Sequence, residues 1–326
     1  MAHSTSRRGF VLSALAAPFI ARLARADTFP SRPLRIVIGF PPGGGIDILA
    51  RLIAPKMSER LGQPVIVENR PGANAQIATQ AVAQAEPDGH TILFGTTGNL
   101  AVNQSLYPDR PATNMERDFT AVSQVASLGF VLVVGPTMPA KSLKELIAIA
   151  KAPDKRVLFG SSGNGGLPHL CGELLNLQAG IHTVHVPYRG SAPAFTDLIG
   201  GQVHYIFDAV AIALPFIQAG NIRPLAVTGP TRIAALPDMP LAKDTLPDFE
   251  VVNWYGMVVR KSTPAEIVTR LQQEVAAALR QSDVVERSAA LGLDLLGTTP
   301  EQFAAFQRAE IVKWGQVIKS ANIHVD

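Results

Sequence analysis

Three consecutive glycines between an apolar segment and a helix form the stretch best suited to bind an anion. Gly43, Gly44 and Gly45 follow Ile36-Val-Ile38 and Pro41-Pro42, and glycines let a backbone approach a ligand closely. A helix that begins after them offers free N–H groups and the positive end of its dipole. We therefore predict an anion or carboxylate loop. A plain tight turn is the alternative, and a nucleotide site is disfavoured because neither G-x-G-x-x-G nor G-K-[ST] is present.

Two charged residues lie in or next to predicted loops. Asp47 falls in the first turn of the helix, where an acid typically caps loop N–H groups; the ligand would then use the other N–H groups. Arg189 lies in Pro187-Tyr188-Arg189-Gly190. It either pairs with a ligand carboxylate or is a solvated turn residue, and the sequence leaves both open.

Nucleophilic catalysis is disfavoured. Ser161 and Ser162 are the candidate nucleophiles, but Gly160-Ser-Ser-Gly163 is not a G-x-S-x-G elbow. The candidate bases are histidines, and none has an acid placed near it in a recognisable pattern: His169, His182, His185 and His204. We predict that the protein is not an enzyme.

Metal binding is also disfavoured. On a helix, His169 and Glu173 share a face, but Cys171 does not. On a strand, His182 and His185 point to opposite sides. No C-x-x-C or H-E-x-x-H is present. We predict no metal and no cofactor.

The elements that must position these residues alternate between apolar strands and helices, which is typical of α/β architecture. Val122 to Ala126 and Phe130 to Val134 are predicted as separate strands around Gly129. Asp208 directly follows the predicted strand Val203 to Phe207. In open α/β sheets ligands bind at the carboxyl ends of strands.

One motif occurs twice at the end of a predicted strand. Leu93-Phe-Gly-Thr-Thr-Gly-Asn99 recurs as Leu158-Phe-Gly-Ser-Ser-Gly-Asn164. Each copy offers two hydroxyls, small residues and backbone N–H groups. Two similar lobes that face one cleft would supply such a pair, although chance is the alternative for seven positions of low complexity.

The first 26 residues resemble an export signal. Arg7 and Arg8 precede an apolar run from Phe10 to Ile20, and Ala24-Arg25-Ala26 fits an A-x-A cleavage site. The run is shorter than the about 20 apolar residues that span a bilayer. We predict a signal peptide over residues 1–26, with the twin-arginine type favoured over an ordinary Sec signal, and a mature chain that begins at Asp27.

Charge and cysteine content exclude other classes. The signal segment carries four arginines and no acid, so the remainder has 25 basic against 26 acidic side chains. Without a basic tract, nucleic acid is not an expected partner. Cys171 is the single cysteine of the chain, which rules out an intramolecular disulfide.

Five ordered motifs resemble one known family. They are Phe40-Pro-Pro-Gly-Gly-Gly-x-Asp47, Glu68-Asn-Arg-Pro-Gly-Ala73, Pro87-Asp-Gly89, Val186-Pro-Tyr-Arg-Gly190 and Trp254-Tyr-Gly256. The set is similar to that of the Bug-type receptors, the extracytoplasmic solute-binding proteins of tripartite tricarboxylate transporters. The resemblance covers the chain from Asp27 onward.

The resemblance implies an α/β, two-lobed periplasmic binding protein of type II (Venus-flytrap), with a central β-sheet flanked by helices in each lobe. Lobe one would comprise residues 27–126 and 251–326, and lobe two residues 127–250. The protein would be a periplasmic monomer that captures a small carboxylate between the lobes and delivers it to the membrane subunits of the transporter.

The resemblance also implies a ligand site built from loops of both lobes. Together with the residues singled out above, the expected ligand-binding residues are Phe40, Pro42, Gly43, Gly44, Gly45, Asp47, Thr96, Thr97, Ser161, Ser162, Gly163, Asn164, Gly165, His169, Tyr188, Arg189 and Asp208. The chain departs from the family at Asn74 and Ala75, where a second glycine is usual, so that loop is left out of the site.

Two other functions stay open. An exported α/β enzyme that acts on an organic acid would turn its ligand over. A receptor that signals to a membrane sensor would bind the same ligands without feeding a transporter. The identity of the carboxylate is not predicted.

Overall fold

The structure is a computed structural model that describes Met1 and residues 29–108, 113–233 and 235–325. The predicted signal peptide and the mature start at Asp27 therefore lie outside the described residues. Among the described helices, none is long and apolar enough to cross a membrane.

Ten strands of the described chain form one mixed sheet. They are β1 (Leu34–Ile38), β2 (Val65–Asn69), β3 (Thr91–Thr96), β4 (Phe119–Val134), β5 (Leu158–Ser161), β6 (Val184–Pro187), β7 (Tyr205–Ala209), β8 (Arg223–Val227), β9 (Val252–Arg260) and β10 (Asp294–Leu295). The strands pair in the order β2-β1-β3-β9-β4-β7-β5-β6, and β8 and β10 each pair with β4.

Helices connect the strands and cover the sheet. They are α1 (Gly45–Leu61), α2 (Gln76–Ala83), α3 (Asn103–Leu106), α4 (Met115–Asp118), α5 (Leu143–Lys151), α6 (Leu167–Ala179), α7 (Ser191–Ile199), α8 (Val210–Gln218), α9 (Ala265–Leu279), α10 (Ser282–Ala290) and α11 (Pro300–Ser320). A π-helical turn spans Gly98–Val102 and a 3₁₀ turn spans Ala242–Asp244. The alternation of helices and strands confirms the predicted α/β class.

The first strand–loop–helix unit forms as the sequence predicts. The apolar strand β1 lies between β2 and β3 and is parallel to both, which explains why it has apolar residues on both faces. Helix α1 buries Leu49, Ile53 and Met57. It ends at Gly62, whose φ of 68° is left-handed and therefore favours glycine.

The predicted break at Gly129 is wrong. Strand β4 runs without interruption from Phe119 to Val134, and Gly129 pairs with Val252 of β9. A Cβ added at Gly129 would lie 2.9 Å from Cδ1 of Ile233. The glycine therefore accommodates a close side chain and does not form a turn.

Strand β4 is shared by the two halves of the sheet. Its first part pairs with β9 and β10, and its second part pairs with β7 and β8. The chain thus crosses the molecule along β4 and returns along β9. The lobe boundaries at residues 126 and 251 remain a prediction.

The last helix, α11, is hydrogen-bonded to the central strand β9. Thr299 and Gln302 form a capping box at the start of α11. Glu310 of this helix is buried, and its Oε2 accepts the indole N–H groups of Trp254 (3.0 Å) and Trp314 (2.9 Å). Lys313 forms an ion pair with Glu310. Helix α11 is therefore anchored to β9.

Candidate functional site

Strand register brings the carboxyl ends of four strands towards the middle of β4. Thr96, the last residue of β3, pairs with Tyr255, which in turn pairs with Ala126 of β4. Ala209, the last residue of β7, pairs with Phe130 of β4. Ala126 and Phe130 are four residues apart, or about 13 Å along a strand. Strand β1 is parallel to β3, and β5 is parallel to β7. The carboxyl end of β1 therefore lies at the same edge of the sheet as that of β3, and the carboxyl end of β5 lies at the same edge as that of β7.

The glycine-rich loop lies at the end of β1. Gly43 has a φ of 91°, which favours glycine. Gly44 has an extended backbone, and a Cβ added there would meet nothing within 4 Å. A Cβ added at Gly45 would lie 3.0 Å from the hydroxyl of Tyr255. The loop therefore packs beside the central strands at Gly45 and is open to solvent at Gly44.

The side chain of Asp47 stabilises this loop. Its side chain is buried, and Oδ2 accepts the N–H of Gly43 (2.9 Å) while Oδ1 accepts Nδ2 of Asn69 (2.9 Å). Nε of Arg51 completes an ion pair at 3.0 Å. Burial alone would raise the pKa of Asp47, but these hydrogen bonds outweigh it and lower the pKa. Asp47 thus occupies the Gly43 N–H, as predicted for a cap, and the first-turn N–H groups that follow have no intrahelical partner.

The threonines at the end of β3 have backbone partners. The N–H of Thr96 donates to Oδ1 of Asn99 at 2.8 Å, and its Oγ1 accepts the N–H of Gly98 at 3.2 Å. Thr97 is fully buried; its Oγ1 accepts the N–H of Trp254 at 2.9 Å. Phe40, at the end of β1, is half-buried, and its carbonyl accepts Nδ2 of Asn69.

The two copies of the repeated motif share one hydrogen bond, although Gly98 begins a π-helical turn whereas Gly163 has a φ of 151°. Ser161 ends β5 as Thr96 ends β3, and its Oγ accepts the N–H of Gly163 at 3.2 Å, the same distance as in the Gly98–Thr96 bond. In both copies, therefore, a hydroxyl accepts the N–H of the glycine that follows it in the motif. The copies differ in the last residue, because Asn99 is buried whereas Asn164 is exposed.

The loop after β5 contacts the element that follows β3. A Cβ added at Gly165, whose φ is 69°, would lie 2.5 Å from Cδ2 of Leu106 in α3 and 3.2 Å from Val325. Gly165 is buried and Ser162 and Gly163 are half-buried. The structure thus brings the Ser161–Gly165 loop against α3, which follows β3 after the π-helical turn.

Two histidines lie behind this loop as a stacked pair. The ring centroids of His169 and His185 are 3.7 Å apart and their planes differ by 7°. Nδ1 of His169 accepts the N–H of Gly165 at 3.1 Å, and Nε2 of His185 lies 2.6 Å from Oγ of Ser161. Burial, and then the neighbouring His169, lowers the pKa of His185 to about 3. His169 therefore supports the loop from inside, and His185, which was not predicted in the site, joins it.

Tyr188 and Arg189 follow β6 and differ in their contacts. The N–H of Tyr188 donates to the carbonyl of Ser161 at 3.0 Å. Its hydroxyl donates to Oδ2 of Asp197 at 2.7 Å, and burial together with that bond raises the pKa of Tyr188 to about 12. Arg189 is exposed and has no side-chain partner within the described residues. Tyr188 thus stabilises the end of β5, and the side chain of Arg189 is available to bind a ligand or to contact solvent.

Asp208 is a buried carboxyl with one unused oxygen. It lies inside β7 and not beyond the strand end, so the predicted end at Phe207 is wrong by two residues. Oδ1 accepts the N–H of Ala209 at 2.7 Å, whereas Oδ2 has no partner. Burial raises the pKa of Asp208, and the nearby Ser191 hydroxyl and the Ala209 N–H offset this only in part.

Three residues that sequence reasoning missed help to build the site. Asn69 joins Asp47 to Phe40, Tyr255 touches the glycine loop, and His185 bonds to Ser161. Asn69 and Tyr255 stood inside the quoted motifs, which was the available signal. His185 had none, because its contacts depend on the pairing of β5 with β6.

Other features of the surface do not resemble this arrangement. A depression of about 790 Å³ lies beside α1 and β2, where its lining includes Arg51, Ser58 and Val65. It is on the outer edge of the sheet, away from the strand ends. Among the described residues, no three His, Cys, Asp or Glu side chains are grouped so that they could hold a metal ion.

Comparison with known proteins gives a consistent result. Residues 49–323 match the family described as "Tripartite tricarboxylate transporter family receptor". BugT of Bordetella pertussis is 37% identical over 302 residues, 92% of this chain and 92% of BugT. R. palustris Rpa4515 with adipate has a TM-score of 0.74 and 35% identity, over 91% of this chain and 99% of that one. MatC (Rpa3494) from Rhodopseudomonas palustris with bound malate has a TM-score of 0.71 and 32% identity, over 89% and 100%.

Proposed function

The chain belongs to the receptor family of tripartite tricarboxylate transporters, as its motifs predicted, and we propose that it binds a small carboxylate in a cleft between two lobes. The family and the solved relatives are binding proteins, and they confirm the predicted periplasmic-binding-protein fold.

The observation that carries the proposal is the position of two donor-rich loops at the ends of β1 and β5. The glycine loop at the start of α1 is open at Gly44 and lies next to Tyr255 of β9 at Gly45. The Ser161–Gly165 loop lies against the segment after β3. Backbone N–H groups at a helix start bind anions without a cation, and charge-assisted hydrogen bonds of this kind are strong.

The ligand class follows from the relatives together with the charges of the loops. Rpa4515 is known with adipate and MatC with malate, and both ligands are dicarboxylates. In this chain one carboxylate would lie between Pro42–Gly45 and Ser161–Gly165. Arg189 is exposed without a partner in the described structure, so it is our candidate to meet the second carboxylate at the rim.

The remaining features of the proposal come with the family. Lobe one would comprise residues 27–126 and 251–326 and lobe two residues 127–250, with β4 and β9 as the crossing strands. The mature protein would be a periplasmic monomer, exported after removal of residues 1–26, and the membrane subunits of the transporter would receive its ligand.

The contact between Ser161 and His185 raises the alternative of an exported hydrolase. Three observations weigh against it. Ser161 is fully buried, its hydroxyl already contacts the carbonyl of Gly163 at 3.0 Å, and the lowered pKa of His185 makes that imidazole a poor base. We therefore propose binding without turnover.

A ligand screen tests the function. Thermal-shift measurements on the purified protein would compare adipate, malate and succinate with uncharged adipamide. A ligand at about 100 times its dissociation constant adds about 2.7 kcal/mol to the free energy of unfolding, so at least one dicarboxylate should raise the melting temperature and adipamide should not. Calorimetry should then give one site per chain, with the acid recovered unchanged. No response to any acid, or consumption of the acid, would contradict the proposal.

A further inference from the structure

The stacked histidines contact the Ser161–Gly165 loop through their ring nitrogens. His169 is 6% exposed, and Nδ1 already accepts the N–H of Gly165. His185 uses Nε2 for Ser161. Both rings therefore direct a ring nitrogen at the same loop, one at each end of Ser161–Gly165.

The hydrogen bonds require a particular protonation state. Because Gly165 donates, Nδ1 of His169 must lack a proton, and the ring is then the neutral Nε2–H tautomer. A proton on Nδ1 would place two donors 3.1 Å apart and break the bond. Two charged rings at a centroid distance of 3.7 Å would also repel each other.

We propose that His169 and His185 are positioning residues that hold the Ser161–Gly165 loop in its binding shape, and that they do so only as a neutral pair. This inference rests on the proposed function of that loop. Its consequence is that acid weakens ligand binding through the loop, before the glycine loop is affected.

Other titratable groups lie near the two histidines, and effects of their protonation have to be distinguished from effects of the pair. Glu173, one turn along α6, has Oε1 3.7 Å from Nε2 of His169. Tyr205 of β7 bonds to Thr183, and Asp208 has no cation against it. Glu310 and Lys313 of α11 pair with each other. The remaining titratable groups of α6, β6 and the strand beside β5 are Cys171, which is buried, His182, which is exposed, and His204, whose Nδ1 accepts the N–H of Leu158.

Isosteric amides separate the roles of the histidines. His169→Asn keeps an acceptor at the position of Nδ1, and His185→Gln keeps a polar group at the position of Nε2, but neither takes up a proton in this range. His169→Phe keeps an aromatic ring and removes the acceptor. His182→Gln is the matched control, because His182 is exposed.

The test measures affinity for adipate and malate by calorimetry from about pH 8 to about pH 3, the value to which the pKa of His185 is lowered. Wild type and His182→Gln should lose about tenfold more affinity over this range than protonation of the ligand explains, the effect of one lost hydrogen bond. The double variant His169→Asn/His185→Gln should bind more weakly than wild type at pH 8, and its affinity should change with pH no more than protonation of the ligand itself explains. His169→Phe should bind weakly at every pH, and its melting temperature should fall because the buried N–H of Gly165 loses its acceptor.

A measurement without ligand keeps the inference testable if no acid binds. Nitrogen-15 spectra of the histidine side chains at pH 8 should show His169 protonated only at Nε2. On acidification the amide of Gly165 should shift together with the His169 ring signals. A wild-type affinity independent of pH, an equal loss in the double variant, or an Nδ1–H tautomer at His169 would overturn the proposal, whereas the failure of all acids to bind would count against the proposed function alone.

Discussion

The two loops that face the middle of β4 are held in different ways. The glycine loop depends on an ionised carboxylate, because Asp47 accepts from Gly43 and pairs with Arg51. The Ser161–Gly165 loop depends on neutral rings, because His169 accepts from Gly165 and His185 contacts Ser161. The two loops are therefore supported by different titratable groups, a carboxylate in one and imidazole rings in the other.

The two supports respond to acid in different pH ranges. The pKa of Asp47 is lowered from 3.8, so its contribution to stability is present above that value and is lost only as pH falls through the still lower folded pKa. The pKa of His185 is lowered from 6.5 to about 3. The unfolded chain therefore takes up this proton first, and the stability that neutral His185 provides above pH 6.5 is lost as pH falls towards 3. We expect the lobe-two loop to be the acid-sensitive one.

The largest effect should come from filling the open position of the glycine loop. Gly44→Val should abolish binding of the cognate dicarboxylate, with a loss of more than about a hundredfold, because the side chain would occupy the path of the ligand to the N–H groups. The fold should survive, since a Cβ at Gly44 meets nothing within 4 Å. Calorimetry measures the affinity, and the melting temperature serves as the control.

Gly44→Ala is the graded comparison for that variant and should bind with intermediate affinity. If Gly44→Val binds as tightly as wild type, the loop is a structural turn and the ligand lies elsewhere. The comparison between the two loops would then lose its functional meaning.

The next effect concerns the support of the glycine loop. Asp47→Ala should lower the free energy of unfolding by about 2 to 4 kcal/mol, because it leaves the Gly43 N–H and Arg51 without their shared partner. Denaturation in urea measures this. Asp283→Ala removes the acid of an exposed pair with Lys56 and should have a much smaller effect. Equal losses in the two variants would contradict the structural role of Asp47.

The smallest effect should come from Asp208, the unpaired carboxyl of the second half. The folded pKa is raised above 3.8, so this residue favours folding below that value and its contribution is lost as pH rises through the folded pKa. Asp208→Asn should therefore stabilise the protein by about 1 kcal/mol at pH 7, and the gain should vanish below about pH 3.8. A loss of stability at pH 7 would indicate that the ionised carboxylate has a partner.

Part of the site could be predicted because it depends on short-range pattern. The strand–glycine–helix unit and the repeated hydroxyl motif are contiguous stretches, and both form at strand ends as expected. His185, Asn69 and the wrong break at Gly129 show the limit of such patterns. Each depends on a contact between residues far apart in the chain: Ser161 for His185, Asp47 for Asn69, and Ile233 for Gly129.

The sequence by itself determined the α/β class, the family and the location of the two donor-rich loops, because apolar periodicity, glycines and hydroxyls act on their immediate neighbours. Tertiary structure decided which donors remain available. Asp47 uses the Gly43 N–H and leaves Gly44 open, and a stacked neutral pair sets the second loop. Strand register decided where both loops lie, because residues far apart in the chain become neighbours only when β3, β9, β4 and β7 pair.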